Sequence, residues 1–190
     1  MDPISLAIDK VEELMGHSPH PAIVTVPLGA WTVSHVCDGL ALATGDRSFD
    51  DAARISMAVG LLGAAGAVVT GLRDYRQIPR ERPSHGVATT HALGNALASS
   101  LMIASYVLRV RDHDRGRRTC LPARLLALTG GAITLYTAWL GGKLVEEMGE
   151  GVHPVQERLQ REEPGQNLTE DHGRGRDRLD PSAPLGSHEG

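Results

Sequence analysis

Residues 55–72 read ISMAVGLLGAAGAVVTGL, eighteen positions without Asp, Glu, Lys, Arg or His. At a rise of about 1.5 Å per residue, a helix of this length nearly matches the ~30 Å hydrocarbon core of a bilayer. Gly60, Gly63, Ala64, Gly66, Ala67 and Gly71 recur along it. Small residues let helix backbones approach closely, which is how helices associate in lipid, where apolar burial no longer discriminates. The run therefore predicts a transmembrane helix, and the most central one of its bundle.

Working outward, three more apolar runs have spanning length: Ala22 to Thr44, Gly86 to Leu108, and about Leu121 to Val145. Pro27 lacks a backbone donor and predicts a kink near the start of the first. Arg73-Asp74-Tyr75-Arg76 closes the second run, a polar connector continues to Ser84, and the basic stretch Arg109 to Arg118 separates the third from the fourth. Gly130, Gly131, Thr134, Gly141 and Gly142 are the packing positions expected in the last.

Asp2 to Gly16 reads as a short amphipathic helix, with Asp2 as N-cap, Pro3 in the first turn and Gly16 as the stop. Ile4, Ile8, Val11 and Met15 line one side; Asp9, Glu12 and Glu13 line the other. That acidic face is wrong for anionic lipid and favours packing on the protein's own helices. From Gly151 onward apolar periodicity is lost and a disordered tail is expected. The fold class expected is thus all-α: an N-terminal amphipathic helix and lead-in (1–20), an integral membrane four-helix bundle (21–150) and a polar tail (151–190). No internal repeat is evident at this level.

Composition alone would mislead, since the chain of 190 residues is 41% hydrophobic and 22% charged. The charges crowd into the ends and the connectors. The acidic start through Glu13 is unlike a secretory n-region, so no cleaved targeting segment is expected. A net charge of -4 with scattered arginines argues against a nucleic-acid partner. Cys37 and Cys120 provide neither a disulfide framework nor a thiolate metal site. The two membrane sides receive equal numbers of Lys and Arg, so the positive-inside rule gives no orientation.

Alternation of four helices gathers His17, His20, His85, His91 and His153 on the N-terminal side, together with the interfacial acid Asp74. His35 falls near mid-membrane and His113 on the opposite face. Neutral imidazole is a common ligand of transition metals and haem iron, and histidines on different helices of a bundle can hold haem axially. His20, His85 and His91 are the candidate cofactor ligands, for haem b or a metal ion, with Asn95 on the same face as His91. The other reading is that His20 and His85 cap helix starts while His91 hydrogen-bonds within the bundle. Asp38 is costly inside a membrane unless paired. It reads either as a proton or ion-pathway carboxylate or as one hydrogen-bonded to Ser, Thr or His of a neighbouring helix, the second being favoured.

His20-Pro21, Pro27-Leu28-Gly29, Asp38, Thr70-Gly71-Leu72-Arg73-Asp74, His91 with Asn95, Gly141-Gly142-Lys143-Leu144-Val145 and Gly149-Glu150-Gly151-Val152 together resemble a bacterial membrane-protein family known as domain of unknown function 2231. The resemblance covers most of His17 to Val152. It implies a four-helix membrane domain, attached in some relatives to a Rieske iron-sulfur module, and so hints at electron transfer. No such module is present here, and Lys143 and Met148 stand where relatives often carry a further histidine.

The functional expectation is a multi-pass protein of the cell membrane, in contact with the lipid bilayer, acting as a redox or haem- or metal-associated subunit with a redox partner protein. The alternative is a non-catalytic scaffold whose polar residues hold the helices together. Transport would require a larger assembly or broken helices at matching places in two repeats.

Overall fold

A computed structural model describes residues 3–151; the expected tail beyond Gly151 and the Asp2 cap lie outside the described residues. Six helices follow in order: α1 (Pro3–Met15), α2 (His20–Ile23), α3 (Thr25–Thr44), α4 (Arg47–Gln77), α5 (Pro83–Asp114) and α6 (Leu121–Glu146). Among them α4, α5 and α6 are long and apolar enough to cross a membrane. α3 has 20 residues, the length of a crossing, but carries Pro27, His35 and Asp38. The break between α2 and α3 falls at Val24. Pro27 explains it, because a proline ring clashes with the carbonyl four residues earlier and supplies no donor to it.

α4 begins at Arg47 and α5 runs on to Asp114, so both helices overshoot the apolar runs that announced them. Helical propensity does not end where hydropathy does. The α4 start is set by Gly45, whose φ of 76° closes α3 in the left-handed region, and by Asp46, which accepts the Ser48 N–H at 2.9 Å. Those hydrogen bonds hold the Asp46 carboxyl below its ordinary range.

α3 packs on α4 and α6, and α5 packs on α4 and α6, so the four long helices form a square with α3 facing α5 across one diagonal and α4 facing α6 across the other. Inward residues recur at spacings of three and four: Pro27, Trp31, Ser34, Asp38 and Ala41 on α3, and Ala98, Met102, Ser105, Arg109 and Asp112 on α5. This is the seam of left-handed helix packing. Outward lie Val33, Val36, Leu62, Val68, Leu97, Val107 and Leu135, all exposed as lipid-facing residues should be. α4 packs against α2, α3 and α5, and α6 against α3 and α5, so the square has no single central helix.

The two hairpins repeat one another. His20 pairs with His91, Ser34 with Ser105, Gly45 with Gly116, Ala53 with Ala123, Gly60 with Gly130 and Gly71 with Gly141. Their contacts pair as well. Ser34 Oγ donates to Ala53 O at 2.9 Å, and Ser105 Oγ donates to Ala123 O at 2.7 Å. Trp31 lies against Gly60 as Met102 lies against Gly130, and His20 against Gly71 as His91 against Gly141. The repeats run in the same direction, so the relating axis lies along the bundle. Few identities survive, which hides the repeat until the contacts are compared.

α1 docks on the protein's own helices, as expected, but by its acidic side. Arg73 of α4 reaches Asp9 at 2.5 Å and also pairs with Glu12, so the acidic side faces the protein while Leu6, Val11, Leu14 and Met15 are exposed. A guanidinium near the end of an apolar helix needs carboxylates more than α1 needs apolar cover in a lipid setting.

Close packing at Gly60 is testable. A Cβ there would overlap the Trp31 indole at Nε1, whereas one at Gly142 meets nothing. Gly60→Ala should destabilise the detergent-solubilised protein by about 1–3 kcal/mol, the usual range for overpacking, and Gly142→Ala should not. Equal melting temperatures for the two variants would contradict this packing.

Candidate functional site

Three layers of inward side chains stack along the bundle, beginning at the end where α3 turns into α4. One charged residue comes from each long helix: Asp38, Asp50, Arg109 and Arg124. Arg109 grips Asp38 with both terminal nitrogens, NH1 to Oδ1 at 2.8 Å and NH2 to Oδ2. Ser105 Oγ accepts from its Nε at 3.1 Å. Arg124 donates to Asp50 Oδ1 at 2.6 Å and to the Asp38 carbonyl at 2.9 Å. The pairs run along the two diagonals, α3 to α5 and α4 to α6. Arg109 is 1% exposed, and Asp38 and Asp50 are each 7% exposed. The two acids and two bases of the helices balance, and Arg118 of the α5–α6 connector also reaches Asp50 Oδ2 at 3.2 Å.

Asp38 was expected to lean on Ser, Thr or His. Its partners are instead Arg109, which hydropathy had assigned to a connector, and Arg124, which lies in the first turn of the fourth run. The signal that would have found them is the three-four spacing, which continues past the last apolar residue of α5 to Arg109. Asp50 lies on the same kind of extension, in register with Ala53, Met57 and Gly60.

The middle layer is apolar, with Trp31, Met57, Met102 and Ala127, again one from each helix. His35 packs on Gly131 beside it. Its two ring nitrogens and Trp31 Nε1 are buried and make no hydrogen bond among the described residues.

The third layer holds the histidines. His20 and His91 stand edge to face with ring centres 6.4 Å apart. His20 Nδ1 meets Thr70 Oγ1 at 3.0 Å. His91 Nδ1 donates to the Thr137 carbonyl at 2.8 Å, so its Nε2 is the acceptor for Asn95 Nδ2 at 3.0 Å. Thr137 Oγ1 in turn donates to Asn95 Oδ1 at 2.9 Å. His85 is not in this pair, since its ring lies 5.0 Å from that of Tyr75. Asp74 accepts from Ser18 Oγ at 2.5 Å. Glu150, named in the sequence only as part of a family motif, is buried and accepts from Ser84 Oγ at 2.7 Å, while Gly151 O accepts from Ser18 N at 3.2 Å.

As packed, the ring nitrogens of His91 are both engaged, and Gly71 and Gly141 bring helix backbone close against the two imidazoles. A porphyrin between these rings would require the helices to part. No cluster of three or more His, Cys, Asp or Glu suited to a metal occurs among the described residues.

Apolar outer faces, inward polar layers and helices of spanning length define a helical membrane protein. The chain belongs to the family described as predicted membrane protein, domain of unknown function 2231 (DUF2231), which matches residues 16–154. No curated protein and no solved structure gives a significant match.

Removing one member of a buried ion pair strands the other and typically costs about 3–5 kcal/mol, whereas removing both costs far less. Arg109→Met should therefore strongly destabilise the solubilised protein, and the double variant Asp38→Asn with Arg109→Met should recover much of the loss. Additive losses in a double-mutant cycle of thermal unfolding would argue against a direct pair.

Proposed function

We propose that the chain is a four-crossing, non-catalytic scaffold of the cell membrane, with α3 as the fourth crossing. The observation that carries this reading is that the bundle axis is filled along its length by the chain's own side chains: histidines, then an apolar plug, then an ion-pair layer. Pairing with Arg109 and Arg124 removes the main obstacle to inserting α3, because the membrane penalty applies to an unpaired charge. A filled axis leaves no route for a solute, and Asp38 is engaged by two guanidiniums.

A second reading, a redox or haem- or metal-associated subunit serving a redox partner protein, draws on the proximity of His20 and His91. It requires Asn95 to release His91 Nε2 before that nitrogen could ligate haem b or a metal ion.

Two measurements separate these readings. In a background lacking Cys37 and Cys120, single cysteines at Asp46 and Arg115 should label from one side of the membrane, and those at His17 and Arg80 from the other. Labelling of His17 and Asp46 from the same side would mean that α3 does not cross. Protein expressed with ample haem and iron should show no Soret band and no stoichiometric metal. A band lost in His91→Ala and kept in His113→Ala would establish the redox reading instead.

A further inference from the structure

A cleft of about 420 Å³ opens where α5 turns into α6, lined by the apolar Leu108 and Pro122, by Cys120, and by Arg111, Arg117 and Arg118, with Asp112 as its one acid. Leu121 and Leu125 are exposed nearby on α6. Arg117 is engaged by Asp112 and Arg118 by Asp50. Arg111 has no partner among the described residues and is exposed. The cleft thus combines apolar and cationic side chains, with a lining charge of three bases against one acid.

The internal repeat makes Arg111 informative. By the offset of 71 positions that separates Asp38 from Arg109, its counterpart in the first hairpin is Leu40, an exposed apolar residue of α3. A lipid-facing position at the end of a crossing has therefore become an arginine in one hairpin only, where the bundle's own ion pairs do not use it. An arginine at that depth places its stem on acyl chains and its guanidinium at headgroup level.

We propose that this cleft binds the phosphate headgroup of one anionic phospholipid, its acyl chain lying along Leu108, Leu121 and Leu125 and its phosphate meeting Arg111 with help from Arg117 and Arg118. Guanidinium recognises phosphate through paired, charge-assisted hydrogen bonds. An amphipathic ligand matches both the apolar and the cationic lining of the cleft, as a free anion does not. This site is independent of the scaffold reading.

The test uses the full chain in a neutral detergent and follows thermal unfolding with added phosphatidylglycerol, phosphatidylcholine or inorganic phosphate. Phosphatidylglycerol should raise the melting temperature by several degrees and the other two should not. Arg111→Leu, which restores the residue of the other hairpin, should leave the lipid-free melting temperature unchanged and remove more than half of that shift. The proposal is overturned if Arg111→Leu keeps the full shift, if phosphatidylcholine matches phosphatidylglycerol, or if inorganic phosphate alone produces the effect.

Discussion

A carboxylate and a guanidinium in a medium of low dielectric constrain everything around them. Each is expensive there alone, and their attraction offsets the desolvation only when geometry and remaining hydrogen bonds are satisfied. Asp38 meets that condition through Arg109 and the nearby Arg124, whose other partner is Asp50. Because the four residues come from four helices, satisfying them fixes which helices face one another and at what height. A slip of one helix by a turn, about 5.4 Å, would strand charges on both diagonals at once. The apolar layer alone would not forbid such a slip, since leucine against leucine differs little from leucine against lipid.

The internal repeat explains how that layer is arranged. The position occupied by Asp38 in the first hairpin is occupied by Arg109 in the second, so equivalent sites across the axis hold opposite charges. Other equivalent positions are alike, as at His20 and His91, or exchange one bulky apolar residue for another, as at Trp31 and Met102. A pair of identical acids across the axis would repel. The exchange of Asp38 for Arg109 is therefore what electrostatics requires at this height of a duplicated hairpin.

Much of this architecture was legible in the sequence. Apolar runs located α4, α5 and α6, Pro27 announced the break at Val24, and Gly60, Gly63 and Gly71 marked close helix approach. The family resemblance was legible too, because its motifs are clusters of Pro, Gly and polar residues at helix ends. Arg109, Arg124 and Asp50 were missed because a window of hydropathy ends at the first charge, whereas a packing face continues at its own spacing. The docking side of α1 was misjudged for a related reason: in water the apolar side would turn inward, but beside a membrane the acidic side has the stronger claim on the protein. His85 was grouped with His20 and His91 by depth alone, and depth says nothing about which way a side chain leaves its helix.

The contact of Ser18 with Gly151 bears on connectivity. Around the bundle axis, the start of the segment that joins the two hairpins, Ile78 to Glu81, corresponds to Met148 to Gly151, and Ile78 and Met148 meet in one apolar cluster. On one side of the molecule the hairpins are joined by a peptide chain; on the other, the Ser18 N–H reaches the Gly151 carbonyl. The covalent link and the hydrogen-bonded link occupy equivalent places in the repeat. A chain joined at the second place and opened at the first, so that α5 and α6 precede α2, α3 and α4, would fold around the same axis. The order of the hairpins is thus a matter of history, while their pairing is a matter of charge.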